Sequence, residues 1–260
     1  MKMLALALLM AITPAPVAPE LVALGDSYAA GLGAGDEASD DCRQSPHAYP
    51  SLWAKRNGAS LVFAACAGAK TDEVTRQAER ITPNATLVTI TAGGNDAGFS
   101  DVMTTCTLRG DEECVRRVDV AEGFIRGELP GRLDSLYGAV ADRRSASAEV
   151  VVLGYPRLFS HETWCLMSGP KRAAVNRAAD VLAEVTGDRA KAAGFEYADV
   201  RQAFDDHGVC ADEPWLNGLV LAPVDRSYHP NRAGQESGYL PALTAATARA
   251  GNRLAVAATD

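Results

Sequence analysis

Along the chain, short runs of consecutive apolar residues alternate with longer segments in which apolar residues recur every three or four positions. The first pattern predicts buried strands and the second amphipathic helices. Strands are expected at Leu21–Leu24 (LVAL), Ser60–Cys66 (SLVFAAC), Thr86–Thr91 (TLVTIT), Glu149–Leu153 (EVVVL) and Phe195–Val200 (FEYADV). The first four are stopped by Gly25, Gly68, Gly93-Gly94 and Gly154. Helices are expected over His47–Gly58, over Thr71–Arg80 with Thr71 as N-cap, over Glu112–Arg144 with an interruption or kink at Pro130, and over Pro170–Ala193. A last helix starts at Asn231 or Arg232 and runs towards Ala250. Continuous apolar strands alternating with helices predict a parallel sheet covered on both faces. No linker or composition shift divides the chain and no segment repeats, so residues 19–260 are expected to form one domain.

The first residues fit a different pattern. Lys2 and the α-amino group precede an apolar run from Met3 to Ile12, followed by small residues and prolines up to Pro19. Positive charge, a short apolar run and small residues make a secretory signal peptide, expected over residues 1–18. The run falls short of the roughly 20 apolar residues that span a bilayer. Ala15 and Ala18 are each followed by proline, which leaves the cleavage point open. A secreted protein is expected. The six cysteines, Cys42, Cys66, Cys106, Cys114, Cys165 and Cys210, agree with export. None shows the Cys-x-x-Cys spacing of a zinc site. Six cysteines allow 15 pairings. The simplest is sequential: Cys42–Cys66, Cys106–Cys114 and Cys165–Cys210.

Charge narrows the partners. With 25 Lys+Arg against 33 Asp+Glu and a net charge of −8, the chain has no basic run to hold phosphates. No nucleic acid and no membrane span are expected, and the chain is expected to be a monomer that acts on a small molecule.

Sites in open α/β sheets form beyond the carboxyl ends of the strands, where the strand order reverses. In a 2-1-3-4-5 sheet, the loops after the first three strands would meet. They carry Gly25-Asp26-Ser27, Gly68 and Gly94-Asn95-Asp96. Together these offer a hydroxyl, a glycine amide and a carboxamide, which suits acyl transfer. Serine needs a base to take its proton, and the tetrahedral intermediate needs donors aimed at its oxyanion. The backbone N–H of Ser27, that of Gly68 and the side-chain amide of Asn95 are candidate donors. The absence of a Cβ at Gly68 allows close approach. Of four histidines, His229 lies after the last strand, in a short loop braced by Pro230 and Asn231 before the last helix.

These blocks, LVALGDSYAAGLGAG, Gly68, Gly94-Asn95-Asp96 and His229-Pro230, resemble the SGNH hydrolases, also called the GDSL lipase/esterase family. The resemblance is greatest to its secreted, three-disulfide actinobacterial lipases and esterases. It implies a flavodoxin-like three-layer α/β/α sandwich with sheet order 2-1-3-4-5 and no metal or other cofactor. It also implies Ser27 as nucleophile and oxyanion donor, Gly68 and Asn95 as the other donors, and His229 as general base. The activity implied is that of a serine carboxylic-ester hydrolase, lipase or esterase, on a small-molecule or lipid acyl ester. A carbohydrate O-deacetylase or phospholipase on the same site is the alternative, and a non-catalytic extracellular binding module a further one. One departure stands out. Many members carry aspartate three residues before the histidine, where this chain has Arg226. The candidates to orient His229 are therefore the backbone carbonyls of Arg226 and Ser227, the favoured reading, and the Asp225 side chain.

Other features carry no chemistry in this reading. Asp26 and Asp96 are structural. His207 is a loop histidine beside a disulfide, His47 and His161 are surface residues, and Trp53 is core. Trp164 and Trp215 flank the third bridge, where they pack against it or line an acyl pocket. Gly31-x-Gly33-x-Gly35 has Asp36 where a dinucleotide fingerprint needs its last glycine, and Gly68-Ala69-Lys70-Thr71 is not a phosphate-binding loop. The acidic residues Asp36, Glu37, Asp40 and Asp41 lack the spacing of a calcium loop and are expected to be a solvated loop.

Overall fold

The computed structural model describes residues 18–160 and 164–257. The signal segment expected over residues 1–18 lies almost wholly outside the described residues, as does His161.

Five strands form one parallel sheet in the order β2-β1-β3-β4-β5. They are β1 (Glu20–Gly25), β2 (Ser60–Phe63), β3 (Leu87–Thr91), β4 (Glu149–Leu153) and β5 (Glu196–Ala198). The central strands β1, β3 and β4 are buried almost throughout, whereas the edge strand β2 is only partly covered. That is why the three apolar runs stand out so plainly in the sequence.

Right-handed crossovers distribute the helices. The chain leaves β1 towards β2 through α1 (Ser27–Ala30) and α2 (Tyr49–Asn57). It then reverses direction, so α3 (Thr71–Gln77) covers the opposite face. The connection from β3 to β4 holds three helices, α4 (Phe99–Leu108), α5 (Asp111–Gly127) and α6 (Leu129–Arg143). After β4 comes α7 (Gly169–Ala192), and after β5 the short α8 (Arg201–Phe204). A π-helical turn, Gly234–Tyr239, leads into α9 (Leu240–Ala257). Helix α9 packs with α2 on one face, while α3, α6 and α7 line the other and α5 lies along α7.

Three expectations are corrected. Helix α4 was not foreseen. Its sequence FSDVMTTCTL carries Thr104, Thr105 and Thr107, which are poor helix formers. Burial of Val102, Met103 and Cys106 and the Cys106–Cys114 disulfide hold it instead. The interruption expected at Pro130 does divide Glu112–Arg144 into two helices, but the break falls at Glu128, and Pro130 sits in the first turn of α6, where no backbone N–H is missed. The N-cap of α3 is Lys70, not Thr71. The Thr71 hydroxyl and N–H both donate to Asp96, at 2.7 and 2.9 Å, so the residue serves a tertiary contact.

The three cysteine pairs are sequential, Cys42–Cys66, Cys106–Cys114 and Cys165–Cys210, with Cα–Cα separations of 4.0, 4.5 and 5.5 Å. The first ties the loop after β2 to the long loop after α1, next to a bond from Ala67 N–H to the Cys42 carbonyl.

The end of β1 is closed by Gln77 of α3. Its carboxamide accepts from Gly25 N–H at 2.7 Å and donates to the Gly25 carbonyl at 3.0 Å. Gln77→Leu leaves that N–H without its acceptor and is expected to cost about 1–3 kcal/mol of stability. A urea midpoint unchanged from the wild type would show that this bond does not secure the strand end.

Candidate active site

The turn after β1 is built by glycine and a carboxylate. Gly25 has φ +139°, and a Cβ there would lie 2.5 Å from the Thr91 carbonyl oxygen. Asp26 N–H donates to that carbonyl at 3.0 Å, which carries the β1–β3 pairing one residue past the strand. The Asp26 side chain is buried and caps α1 by accepting from Tyr28 N–H at 3.0 Å. Its other oxygen accepts from the Tyr155 hydroxyl at 2.5 Å, and that hydroxyl accepts from Gly94 N–H at 3.2 Å. Asp26 and Tyr155 thus join the loops after β1, β3 and β4. Burial raises the Asp26 carboxyl to about 7, against the bonds from Tyr155 and Tyr28.

Ser27 follows as the first residue of α1, so the helix makes no use of its N–H. Its Oγ lies 2.8 Å from His229 Nε2. The other ring nitrogen, Nδ1, lies 3.0 Å from the Ser227 carbonyl oxygen. A carbonyl can only accept, so Nδ1 carries the proton and Nε2 turns its lone pair towards Ser27. Of the three groups considered for this role, the Ser227 carbonyl faces the ring. The Arg226 carbonyl accepts instead from His229 N–H at 3.4 Å. The Asp225 side chain pairs with Arg43 at 3.6 Å and acts on the imidazole only as a nearby negative charge. Tyr228, between these residues, has φ +62°, and this left-handed turn lets the Ser227 carbonyl face a ring two residues on.

His229 is buried, 7% exposed, and its ring is packed by Tyr28 and Phe99, with ring centroids 5.1 and 5.7 Å away. Burial lowers its pKa from 6.5 to about 4, outweighing the Ser227 carbonyl and the Asp225 charge. Tyr28 OH donates to the Tyr228 carbonyl at 2.8 Å, and Tyr228 OH meets Thr107 of α4 at 2.9 Å, so the histidine loop is held from two sides.

Gly68 and Asn95 line the same cleft of about 420 Å³ as Ser27 and His229. Gly68 has φ +81°, a conformation that other residues rarely adopt, and a Cβ there would meet no protein atom within 4 Å. The Asn95 amide donates to the Ala69 carbonyl at 3.1 Å, and Asp96, with its side chain fully buried, holds Thr71. These bonds lock the loop after β2 to the loop after β3 and fix Gly68 relative to Asn95. Asp96 is structural, as expected, and so is Asp26. Tyr155 went unnoticed in the sequence, although Gly154-Tyr155-Pro156 follows β4 in the position where the strand-end rule looks for site residues.

An apolar pocket leads from Ser27 between α4, α5 and α7, lined among others by Val102, Met103, Ile125, Val175 and Leu182. A second apolar cleft opens beside His229, where Leu108, Leu219 and Val224 stand exposed. The other aromatic and histidine expectations resolve simply. Trp53 is buried in the core. Trp215 stacks on His207 at 3.7 Å, away from both apolar pockets, and Trp164 is exposed. His207 bonds the Glu213 carbonyl at 2.9 Å, and His47 pairs with Asp36 at 2.8 Å. Among the described residues no cluster could hold a metal ion and no helix is long and apolar enough to cross a membrane.

Known proteins resemble this chain in sequence and in fold. A lipase of Streptomyces rimosus is 46% identical over 236 residues, covering 88% of this chain and 87% of its own. Lipase 1 of Streptomyces coelicolor is 45% identical, covering 86% and 85%. The crystal structure of phospholipase A1 from Streptomyces albidoflavus matches with a TM-score of 0.85 at 45% identity, over 88% of this chain and 100% of that one. Residues 23–236 match the GDSL-like Lipase/Acylhydrolase family, and the chain belongs to that family.

Proposed function

We propose that this protein is a secreted, monomeric serine hydrolase that cleaves carboxylic esters of lipids. The observation that carries this reading is the Ser27 Oγ–His229 Nε2 contact of 2.8 Å with Nδ1 turned to the Ser227 carbonyl. Ser27 attacks the ester carbonyl as His229 takes its proton. The oxyanion sits among the N–H groups of Ser27 and Gly68 and the Asn95 amide. His229 then protonates the leaving alkoxide and draws a proton from water, which releases the acid. The apolar pocket beyond Ser27 supports acyl chains longer than acetyl and weighs against a sugar deacetylase. The related proteins named lipase and phospholipase A1 support lipid esters as the substrate class. Three disulfides support a location outside the cytoplasm.

On p-nitrophenyl esters from acetyl to palmitoyl, kcat/KM is expected to rise with chain length by about three- to fourfold per methylene until the pocket is full. Ser27→Ala is expected to abolish turnover at every length. An acetyl optimum would return the reading to a deacetylase, and turnover surviving in Ser27→Ala would remove Ser27 as nucleophile.

Asn95→Ala is expected to lower turnover by about 10²–10³, the cost of one oxyanion donor. A folded variant at wild-type turnover would take Asn95 out of the mechanism.

The base must be neutral, so activity depends on the His229 pKa. Its folded value near 4 lies below its ordinary 6.5, so the acid limb of kcat/KM is expected between these values rather than above 6.5. The unfolded chain binds the extra proton in that window, so this contribution to stability is complete above pH 6.5 and fades as pH falls towards 4. A pH–rate profile with its acid midpoint at or above 6.5 would contradict the burial argument.

A further inference from the structure

Three features of the sequence have no part in the chemistry above: the Arg226 side chain, the Gly31-x-Gly33-x-Gly35 run, and the acid that follows it at Glu37. The fold brings all three together behind His229. The Glu37 side chain is 1% exposed. One of its oxygens accepts from Gly33 N–H at 2.9 Å and Gly35 N–H at 3.3 Å, and the other accepts from the Arg226 guanidinium. Burial pushes the Glu37 carboxyl up, but the N–H groups and Arg226 outweigh it and hold the group ionised. The solvated acidic loop expected from the sequence is therefore corrected at this residue: Glu37 is an interior anion with three donors.

The glycine run is packed directly on the histidine. A Cβ on Gly33 would lie 2.7 Å from Asn217 Nδ2 and 3.0 Å from both His229 Cβ and the Pro230 carbonyl oxygen. The Asn217 amide donates to the Gly33 carbonyl at 3.1 Å, and Asn217 N–H to the His229 carbonyl at 2.9 Å. Arg226 thus touches this layer at two points. Its guanidinium holds Glu37, and its carbonyl takes the backbone N–H of His229.

We propose that the Glu37–Arg226 pair is the positioning device for His229, acting by way of the backbone rather than by touching the ring. The pair holds the turn from Arg226 to His229 so that the Ser227 carbonyl meets Nδ1 and the ring meets Ser27. The inference rests on His229 as general base. Two neighbouring pairs join the same loops, Arg43–Asp225 at 3.6 Å and Arg232–Asp36 at 3.1 Å. Both are solvent-exposed on at least one side and contribute little. Of the three, only in the Glu37–Arg226 pair is the carboxylate covered, and although Arg226 itself is 36% exposed, its loss leaves that carboxylate with the Gly33 and Gly35 N–H groups alone.

The test compares Arg226→Met, Arg226→Lys, Glu37→Gln and the Arg226→Met/Glu37→Gln double variant in the full chain, with Arg232→Met as the exposed-pair control. Three quantities are read: kcat and KM on a soluble short-chain p-nitrophenyl ester, and the rate at which an aryl phosphonate labels Ser27. Arg226→Met and Glu37→Gln are each expected to lower kcat and labelling about tenfold, with KM within about twofold and the double variant no worse than the worse single. Arg226→Lys is expected to recover most of the loss, and Arg232→Met to show none. Wild-type kcat and labelling in folded Arg226→Met or Glu37→Gln, losses that multiply in the double variant, or an equal loss in Arg232→Met would each overturn the proposal. If Arg226→Met does not fold, Glu37→Gln and Arg226→Lys decide it. His229→Ala, run alongside, keeps the two readings apart: activity surviving there would remove the base itself.

Discussion

The architecture of the cleft depends on how β1 ends. Its pairing with β3 continues past the last strand residue through the bond from Asp26 N–H to the Thr91 carbonyl. Only glycine fits at position 25, because any Cβ would press on that same carbonyl. The chain must then turn sharply into α1, and the first residue of that helix is Ser27. A hydroxyl at a helix start, above the middle of a parallel sheet, is reached from both sides by the loops of β2 and β3. Asp26 and Tyr155 extend the tie to β4, and Gln77 closes the strand from below. The site is therefore rigid because its members are bonded to one another's backbones, not because any single contact is strong.

The histidine is held on a different principle. Ser27 stands on the sheet, but His229 lies on a loop with little regular structure and must be fixed by side chains. Its ring is wedged by Tyr28 and Phe99, its tautomer is set by a carbonyl, and its backbone rests on Gly33 and Asn217. A carbonyl carries no net charge and steadies an imidazolium less than a carboxylate would. Burial without a paired anion therefore drives the histidine pKa down. A covered carboxylate lies one layer further back, at Glu37, bonded to the backbone of Gly33 and Gly35 and to Arg226 rather than to the ring.

The three disulfides all lie outside the sheet. Cys42–Cys66 fastens the Gly68 loop, Cys106–Cys114 closes the turn between α4 and α5 that walls the acyl pocket, and Cys165–Cys210 joins the segment after β4 to the loop after β5. Each adds a covalent cross-link that restricts the unfolded chain.

Strand positions and the residues offered for the site were legible in the sequence because they rest on local chemistry, whereas the sheet order came from the family resemblance. A fully buried strand must be a continuous apolar run. A sharp strand-to-helix turn needs Gly25, and a base beside a helix start needs something like His229-Pro230. What the sequence left open were choices among near neighbours. The Ser227 carbonyl, the Arg226 carbonyl and the Asp225 carboxylate lie within three residues, and only the left-handed turn at Tyr228 and the packing on Gly33 select the first. Thr71 looked like a cap until Asp96, distant in sequence, claimed its hydroxyl. Helix α4 has little propensity of its own and exists through burial and a disulfide. Glu37 resembled a solvated acid because its three donors come from a glycine loop and from an arginine 189 residues away. Local pattern determined which residues could take part, and long-range packing decided what each one touches.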